Sequence, residues 1–408
     1  MGLLVVLLLV RLAFLYQEYQ AFIHKPFFYT HAEVLLSYPK SKNGKTYQVL
    51  KLRSDEGLTF YTTNYQKKDF QHTKVRLQLL PDRRITFWGY LGTFFVKSRI
   101  RDIMPISDEG FKEHIFQKVA LQHENKMLGS FYNAIFFATP LDAEFRKKVS
   151  MLGVSDLVAL SGFHLGILWG ITYGLGFWFY RFFQQRYFPY RFALLDVGIV
   201  SMAFLGAYLW FVDFPPSLVR SYAMVLTGWL MLLLGMELLS FTFLLTIVAV
   251  LMALFPFLMV SLSFWLSVTG VFYVFLVLHY AQNLHKMIIA FLALPLGVFV
   301  LILPVIHALF GITTPYQLLS PLLSMLFVPF YPSVIFLHFI GMGGLLDPVL
   351  AWLFDLPHGG KDYLVPLWAL GVYVAISIGA IWNRWLFWSA LLSSTLYAFY
   401  IFGGSAFT

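Results

Sequence analysis

Long apolar stretches follow one another from Leu165 to the end of the sequence, separated by short polar segments. Only 12% of the 408 residues are charged, whereas soluble domains carry roughly a quarter. An apolar helix of about 20 residues crosses a bilayer. The sequence therefore predicts a polytopic α-helical membrane protein with about nine or ten spans.

The predicted spans that follow the N-terminal region have these bounds: 164–183, 191–211, 215–235, 238–256, 258–279, 286–309, 318–344, 364–382 and 385–402. The region 318–344 contains Pro321, Pro329 and Pro332 and is predicted to be a broken helix. Broken helices at membrane depth are tolerated where they are buried in protein or line a cavity. The sequence leaves open whether 318–336 crosses the membrane or re-enters, and with it the side of the C-terminus.

The stretch 2–16 is apolar apart from Arg11. No basic residue precedes this stretch and no small-residue cleavage signal follows it, which argues against a cleaved signal peptide. We expect residues 1–24 to form a membrane anchor.

The positive charge in the loops predicts how the spans are oriented in the membrane. Arg181, Arg186 and Arg191 crowd one short loop, which the positive-inside tendency places in the cytoplasm. Counting back through one span, the segment after the anchor is predicted to be extracytoplasmic.

That segment, residues 25–102, is basic, with 15 Lys and Arg against 6 Asp and Glu, while the rest of the chain is balanced. Residues 72–80 alternate apolar and polar side chains, as in a strand with one wet face. Asn43 and Gly44 form a typical hairpin turn. About five short strands in this segment predict a small OB-like β-barrel domain.

A positive charge of this size on a membrane protein favours an anionic partner, either nucleic acid or lipid headgroups. Small barrels of this kind bind single strands through a basic groove and aromatic side chains. Solubility alone is the alternative explanation of the charge. The candidates for collecting DNA are Lys51, Arg53, Lys67, Lys68, Lys74, Arg76, Arg83 and Arg84.

Residues 103–152 alternate apolar patches with charges and are predicted to form amphipathic helices at the membrane interface, starting near Ser107. A polar cluster then opens the next apolar helix: Asp156, Ser161, Gly162 and His164. Polar groups at membrane depth are costly unless they face a partner or a cavity. The cluster therefore predicts a site, and the alternative is a capped helix start at headgroup level.

A second polar group, Arg220, lies about one turn into an apolar helix that begins at Pro215, Pro216 and Ser217. An arginine there needs a carboxylate, carbonyl groups, water or an anionic ligand, unless it extends to the interface. Its planar guanidinium suits phosphate recognition. Arg220 is therefore a candidate for a pathway that carries an anionic substrate.

Signs of enzymatic chemistry are weak in this sequence. Ser161 stands three positions before His164, and His279 or His307 are other candidate bases, which leaves an intramembrane serine protease as a remote alternative. The turn at Ser161 lacks the first glycine of a G-x-S-G pattern. The sequence has no phosphate-binding loop, no metal-ligand spacing and no cysteine. We expect no enzyme activity, no cofactor and no metal.

Four segments, in this order, resemble segments of the ComEC/Rec2 family of competence proteins. ALSGFHLGIL (159–168) resembles the signature A-[IL]-S-G-[LF]-H-[VL]-G, and PPSLVRSYAM (215–224) resembles P-[SA]-x-x-R-[AS]. SLSFWLSVTGVF (261–272) and SPLLSMLFVPFYP (320–332) resemble two further segments of the family. Together with the small basic β segment that precedes them, they cover nearly the whole chain.

The candidate pathway residues, many at positions that match the family's motifs, are Asp156, Ser161, Gly162, His164, Gly166, Pro216, Arg220, Phe264, Ser267, Ser320, Pro321, Ser324 and Pro329. Three positions depart from the family pattern. Asp156 stands where many members have histidine, Ser324 where many have asparagine, and Phe163 where leucine is commoner. These departures concern the polar lining of the pathway.

The resemblance implies a non-enzymatic inner-membrane channel that passes single-stranded DNA into the cytoplasm during natural transformation. Expected partners are single-stranded DNA, membrane lipid, an extracytoplasmic DNA receptor and a cytoplasmic helicase or single-strand-binding protein, and a homo-oligomer is left open. Many members carry a C-terminal metallo-β-lactamase-like domain, whereas this sequence ends at Thr408, so no strand degradation by this chain is expected. The alternative is a transporter or flippase for a lipid-linked or small anionic substrate, which would use Arg220 and the same broken helix.

Overall fold

The computed structural model describes residues 2–42, 45–65, 70, 73–105, 110–235, 240–356 and 359–406. The chain divides into two compact units. The first is Met1–Glu113 with Leu245–Trp265, and the second is His114–Leu244 with Leu266–Thr408.

The first unit contains a six-stranded mixed sheet. Its strands are β1 (Phe28–Lys42), β2 (Lys45–Ser54), β3 (Thr59–Asn64), β4 (Thr73–Leu80), β5 (Thr93–Phe95) and β6 (Lys97–Pro105). Their order is β5-β3-β2-β1-β4-β6, with β3 and β5 parallel and the other neighbours antiparallel. Val75, Leu77 and Leu79 of β4 are fully buried, which confirms the predicted alternation. The Asn43-Gly44 turn lies outside the described residues, although β1 and β2 pair up to Lys42 and Lys45.

The hydrogen-bonded order is open, with β5 and β6 at its two ends, so the structure shows a mixed sheet and not the predicted closed barrel. The two end strands are consecutive parts of one segment, separated by Val96, whose N–H donates to the Tyr61 carbonyl at 3.0 Å. The hydroxyls of Thr62 in β3 and Ser98 in β6 lie 2.8 Å apart. The sheet is therefore curled, and one chain segment contacts both of its edges.

Helix α1 (Gly2–Ile23) is longer than the apolar run 2–16 from which the anchor was predicted. Its last turns belong to the core of the sheet, where Tyr19 and Phe22 are buried. The Tyr19 hydroxyl donates to the Ile85 carbonyl at 2.7 Å. Short helix α2 (Phe87–Leu91) follows β4, capped by the Thr86 side chain. The apolar contacts of Tyr19 and Phe22 explain why α1 continues beyond its uniformly apolar part.

The other helices, listed in chain order, are α3 (Phe111–Ala120), α4 (Lys126–Phe137), α5 (Ala143–Met151), α6 (Ser155–Val158), α7 (Gly162–Tyr187), α8 (Ala193–Phe211), α9 (Pro216–Leu233), α10 (Phe241–Leu254), α11 (Leu262–Tyr280), α12 (Lys286–Ile288), α13 (Leu294–His307), α14 (Ser320–Phe339), α15 (Asp347–Asp355), α16 (Leu367–Gly379) and α17 (Arg384–Ala406). A π-helical turn, Ile289–Ala293, joins α12 to α13. Strands β7 (Ile312–Thr313) and β8 (Lys361–Asp362) form a small second sheet.

Six stretches of helix in the described parts of the chain are long and apolar enough to cross a membrane: Gly2–Ile23, Ala193–Phe211, Leu262–Tyr280, Lys286–His307, Pro315–Phe339 and Arg384–Gly403. Three apolar helices are shorter: Ser217–Leu233, Phe241–Leu254 and Leu367–Gly379. Helix α7 has 26 residues but is rich in glycine, and it is not one of the six. The helices therefore support a multi-pass membrane protein, with element bounds close to the predicted spans.

The prediction of a helix broken by prolines is wrong for Pro329 and Pro332. Helix α14 runs without interruption from Ser320 to Phe339 and includes both. A proline removes one backbone donor, but other helices and side-chain hydroxyls can hold the surrounding turns in place. The Ser333 hydroxyl donates to the Pro329 carbonyl at 2.7 Å. The irregular segments lie at the two ends of α14 instead, as 3₁₀ turns at Pro315–Leu319 and Gly343–Leu346.

The expectation of interfacial helices in 103–152 does not describe α4. Its residues Leu128, Phe131, Tyr132 and Ile135 are buried in the main apolar core of the second unit. That core also includes α14 and α15 residues. The predicted helix start near Ser107 lies outside the described residues, and α3 begins at Phe111. The charged residues near the ends of α4 made the sequence resemble an amphipathic interfacial helix, although the middle of α4 is apolar and buried.

Phe22→Ala is expected to destabilise the first unit by about 3 kcal/mol, because deleting a buried ring leaves a cavity in the core. Phe14→Ala is the matched control, since Phe14 lies on the same helix but is 61% exposed. Thermal unfolding and limited proteolysis of the purified protein measure the difference. Equal effects of the two substitutions would contradict the packing of α1 into the sheet core.

Candidate functional site

Helix α7 begins with a capping box in which histidine takes the place usually held by glutamate. The Ser161 side chain accepts from the Phe163 N–H at 3.3 Å, and the Ser161 N–H donates to Nδ1 of His164 at 3.3 Å. These two bonds satisfy backbone donors that the first turn of a helix leaves free. Because Nδ1 accepts, the proton of the neutral imidazole lies on Nε2.

His164 is fully buried and packs against α14. Its ring centroid lies 5.0 Å from that of Phe327 and 4.8 Å from that of Tyr331, both edge to face. Nε2 has no hydrogen-bond partner among the described residues. The sequence predicted a polar residue lining a path, whereas the structure places His164 in a closed aromatic contact between two helices.

The same helix start packs closely against α9. A Cβ built on Gly162 would lie 3.1 Å from Oγ of Ser221, which itself donates to the Ser217 carbonyl at 2.9 Å. Small residues at both positions allow this approach, as in other membrane helix pairs. Ser221 is the neighbour of Arg220 in the chain, so the two predicted polar helix starts lie side by side.

Arg220 is half-buried on α9, one turn after Pro216. Two positions before it, Leu218 is fully buried in a cluster with Leu160, Leu165 and Leu205. This anchoring fixes the start of α9 against α7 and α8. Arg220 therefore lies on a helix start that is packed against α7 and α8.

The turn that leads into α9 has an unusual backbone. Asp213 and Phe214 both adopt positive φ angles, of 60° and 52°, which residues other than glycine seldom do. Pro215 follows directly and fixes the entry to the helix. Strain of this kind persists where surrounding structure holds it, and it is often found at functional sites.

Tyr331 extends the contact to α8. Its hydroxyl lies near that of Tyr208, and the Tyr208 hydroxyl donates to the Phe136 carbonyl at 2.6 Å. Tyr331 is 1% exposed, so this polar chain lies inside the protein. Ser221, Phe327, Tyr331 and Tyr208 were not among the predicted residues, because these contacts join segments that are far apart in sequence.

The start of α14 is tied to the segment before α6. The Ser320 hydroxyl donates to the Gly153 carbonyl at 2.9 Å, and Pro321 is buried beside it. Gly153 has a φ of 68° and would place a Cβ 3.2 Å from the Gln317 side chain. Ser320 is therefore a predicted residue of α14 whose hydroxyl joins the start of this helix to the segment before α6.

Other predicted pathway residues lie apart from this contact. Asp156 is exposed on the one-turn helix α6, and Gly166 has open space where a side chain would be. On α14, Ser324 is half-buried and Pro329 is exposed. In α11, Phe264 is fully buried and belongs to the first unit, while Ser267 is exposed and belongs to the second. For the side chain of Pro216 the structure gives no description.

The serine protease alternative is not supported by the geometry at Ser161. Its Oγ lies 3.4 Å from Nδ1 of His164, but both atoms serve as helix-capping acceptors. His307 lies against the Leu303 carbonyl at 3.0 Å and the Thr313 hydroxyl at 2.8 Å. His279 is exposed. These residues therefore do not form a catalytic pair in which a histidine base can activate the Ser161 hydroxyl.

Four of the predicted basic residues share the outer face of the sheet. Lys51 and Arg53 alternate with buried Leu50 and Leu52 on β2, as do Lys74 and Arg76 with Val75 and Leu77 on β4. Strand β1 lies between them and places Glu33 opposite both Arg53 and Lys74. We call these four residues the basic face.

Part of this charge is already paired. Lys74 Nζ lies 2.9 Å from a carboxylate oxygen of Asp55, and the Arg76 guanidinium lies 6.0 Å from the Tyr29 ring centroid. Arg83 and Arg84 lie in the turn after β4, and Lys67 and Lys68 lie outside the described residues. Among the described residues, no group of three or more His, Cys, Asp or Glu side chains is arranged to hold a metal ion.

A family model described as "Competence protein" matches residues 138–404. Searches among curated protein sequences and among solved structures gave no match. The matched region covers more than half of the chain and contains α7, α9 and α14, the helices that meet at the capping box. The chain belongs to the competence protein family of the ComEC/Rec2 type.

Proposed function

We propose that this protein is an inner-membrane channel that passes single-stranded DNA into the cytoplasm during natural transformation. The observation that carries the proposal is the meeting of α9 and α14 at the start of α7. Three of the four segments that resemble the family's motifs lie at this contact, although up to about 170 positions separate them. We call it the three-helix contact.

A DNA strand cannot enter hydrocarbon unaided, because each phosphate charge would lose its hydration. Passage needs a wet route with fixed cationic or dipolar groups. Arg220 supplies a guanidinium suited to phosphate at the start of α9. In this proposal the route passes between α7 and α14. The side chains of His164, Phe327 and Tyr331 are buried there, so passage would require the two helices to separate.

The first unit would collect the strand before it reaches the membrane. We propose that its curled sheet is an OB-type domain on the extracytoplasmic side, and that the basic face binds phosphates without reading sequence. An extracytoplasmic receptor would deliver the DNA. Because the sequence carries no nucleotide-binding loop, a cytoplasmic helicase or binding protein would pull the strand inward.

Arg220→Gln is expected to reduce DNA uptake into the cytoplasm by at least about tenfold, as the loss of one charge-assisted phosphate contact implies. Arg220→Lys should retain part of the uptake, since it keeps the charge but not the planar fork. The assay measures labelled DNA that becomes protected inside the cell, together with transformant counts.

Arg186→Gln is the control, because Arg186 is exposed near the far end of α7. Normal uptake by Arg220→Gln cells would overturn the proposed role of Arg220. A defect in lipid or cell-wall assembly, with uptake unaffected, would favour the flippase alternative instead.

Gly162→Val tests the three-helix contact itself. Its side chain would collide with Ser221, whose Oγ already lies 3.1 Å from the position of a Cβ. We expect a severe loss of uptake with the protein still present in the membrane. Gly174→Val is the control on the same helix, because no atom lies within 4 Å of its Cβ position. Equal uptake by the two variants would show that close packing at Gly162 is dispensable.

The basic face predicts salt-dependent binding of single-stranded DNA by the purified full-length protein. Each phosphate contact contributes about 0.7 to the slope of log affinity against log salt. Arg53→Gln combined with Arg76→Gln should weaken binding and reduce that slope by about 1.4. Lys126→Gln, an exposed charge on α4, should leave the slope unchanged. An unaltered slope in the double variant would exclude the basic face as the binding surface.

A further inference from the structure

A second polar cluster lies at the far end of α14, away from the three-helix contact. His123 Nδ1 lies 2.9 Å from the carboxylate of Asp347, and His123 Nε2 lies 2.9 Å from Nε2 of His338. These residues come from the α3–α4 loop, the first turn of α15 and the last turn of α14. The side chain of His123 is fully buried. We call the three side chains the His–Asp–His triad.

The hydrogen bonds of the triad fix where its protons lie. His338 Nδ1 lies 2.6 Å from the Val334 carbonyl, which can only accept, so Nδ1 carries a proton. Nε2 of a neutral His338 is then an acceptor, and the contact at 2.9 Å requires a proton on Nε2 of His123. A neutral His123 protonated at Nε2 has a bare Nδ1, which faces a carboxylate.

Two acceptors 2.9 Å apart repel each other, so this last contact needs one more proton. Asp347 is the first residue of α15, where the positive end of the helix favours a charged carboxylate. The proton therefore belongs to the pair of histidines. On His123 it allows donation to both Asp347 and His338, and on His338 it allows donation to His123, whose Nδ1–H then donates to Asp347. With every contact made, the triad holds one proton more than a carboxylate and two neutral imidazoles.

Among the described residues, the other groups packed around the triad do not supply this proton. The Tyr132 ring stacks on His123 at 4.4 Å, and burial with the nearby Asp347 charge raises the pKa of Tyr132 above its ordinary value. Gln122 accepts from the Gly343 N–H at 2.8 Å and donates to the His338 carbonyl at 3.1 Å. Glu124 and Lys126 in the same region are exposed. The 2.9 Å contact between the two histidines leaves no space for a metal ion.

We propose that the His–Asp–His triad is a proton-binding site that, when occupied, fastens the α3–α4 loop to the end of α14 and the start of α15. Loss of the proton removes the donor from one of its two central hydrogen bonds. Because buried polar groups without partners are costly, the loop and the helix ends then separate or rearrange. The site is independent of DNA, so its test does not depend on the proposed channel function.

The direction of the pH effect follows from proton linkage. An unfolded chain has an ordinary histidine, with a pKa of about 6.5, and an ionised Asp. Above that pH the folded triad holds one proton that the unfolded chain does not, so stability falls as pH rises until the triad itself loses the proton. A difference of one proton corresponds to about a tenfold change in the unfolding equilibrium constant per pH unit.

Asp347→Asn is the decisive variant, because an amide can donate to the bare Nδ1 of a neutral His123. All contacts of the triad then form without the additional proton. The thermal midpoint of the wild-type protein should fall as pH rises from about 6.5, and that of Asp347→Asn should fall less. His279→Asn is the control, since His279 is exposed and lies outside the triad.

Nitrogen-15 NMR of labelled histidine reports the protonation of each ring in the wild-type protein directly, so the main result does not depend on a variant that folds. We expect one imidazolium with both nitrogens protonated at a pH where ordinary histidines are neutral, and its loss in Asp347→Asn and His123→Gln. Only neutral rings in the wild-type spectrum would overturn the proposal. So would an identical pH dependence of stability in the wild type and Asp347→Asn.

Discussion

Polar groups set among apolar helices have to find partners inside the protein, because a bilayer offers no water to replace them. In the second unit this requirement is met within helices, as by Tyr373 and the Leu301 carbonyl, and also at helix ends. Ser161 and His164 cap α7, Ser320 binds the Gly153 carbonyl at the start of α14, and Gln122 joins the α3–α4 loop to the end of α14. The contacts that satisfy these groups are also those that bring distant helices together. The hydrogen bonds that satisfy polar groups in the apolar part of this protein therefore also determine which helices pack together.

The arrangement of elements was largely predictable from the sequence. Apolar length gave the helices, and alternation of side chains gave strand β4. Two features depended on tertiary contacts that no local pattern records. Helix α1 continues past its apolar part because Tyr19 and Phe22 enter the core of the sheet. Helix α14 continues through Pro329 and Pro332, although each lacks a backbone N–H, where Phe327, Tyr331 and Val334 pack into the core of the second unit.

The site was predictable only in its outline. Motif positions indicated which helix starts matter, and the structure does bring the Gly162, Arg220 and 320–332 segments to one place. What each side chain does there was not predictable. His164 reads in sequence as an ionisable group near a path, but its partners are the Ser161 N–H and two aromatic rings. Ser221 and Tyr331 lie within segments that resemble the family's motifs, but a small residue or a tyrosine is common in any apolar helix, so the sequence did not indicate which side chains they contact.

Helix α14 links the two clusters and is held at three levels. Ser320 fixes its start, Phe327 and Tyr331 hold its middle against His164, and His338 holds its end against His123. The first two attachments are a neutral hydrogen bond and an apolar packing contact, which do not respond to solution conditions near neutral pH. The third depends on a single proton. If α14 has to move away from α7 for a strand to pass, the attachment that solution conditions can loosen is the one at His338, one helix turn beyond Val334.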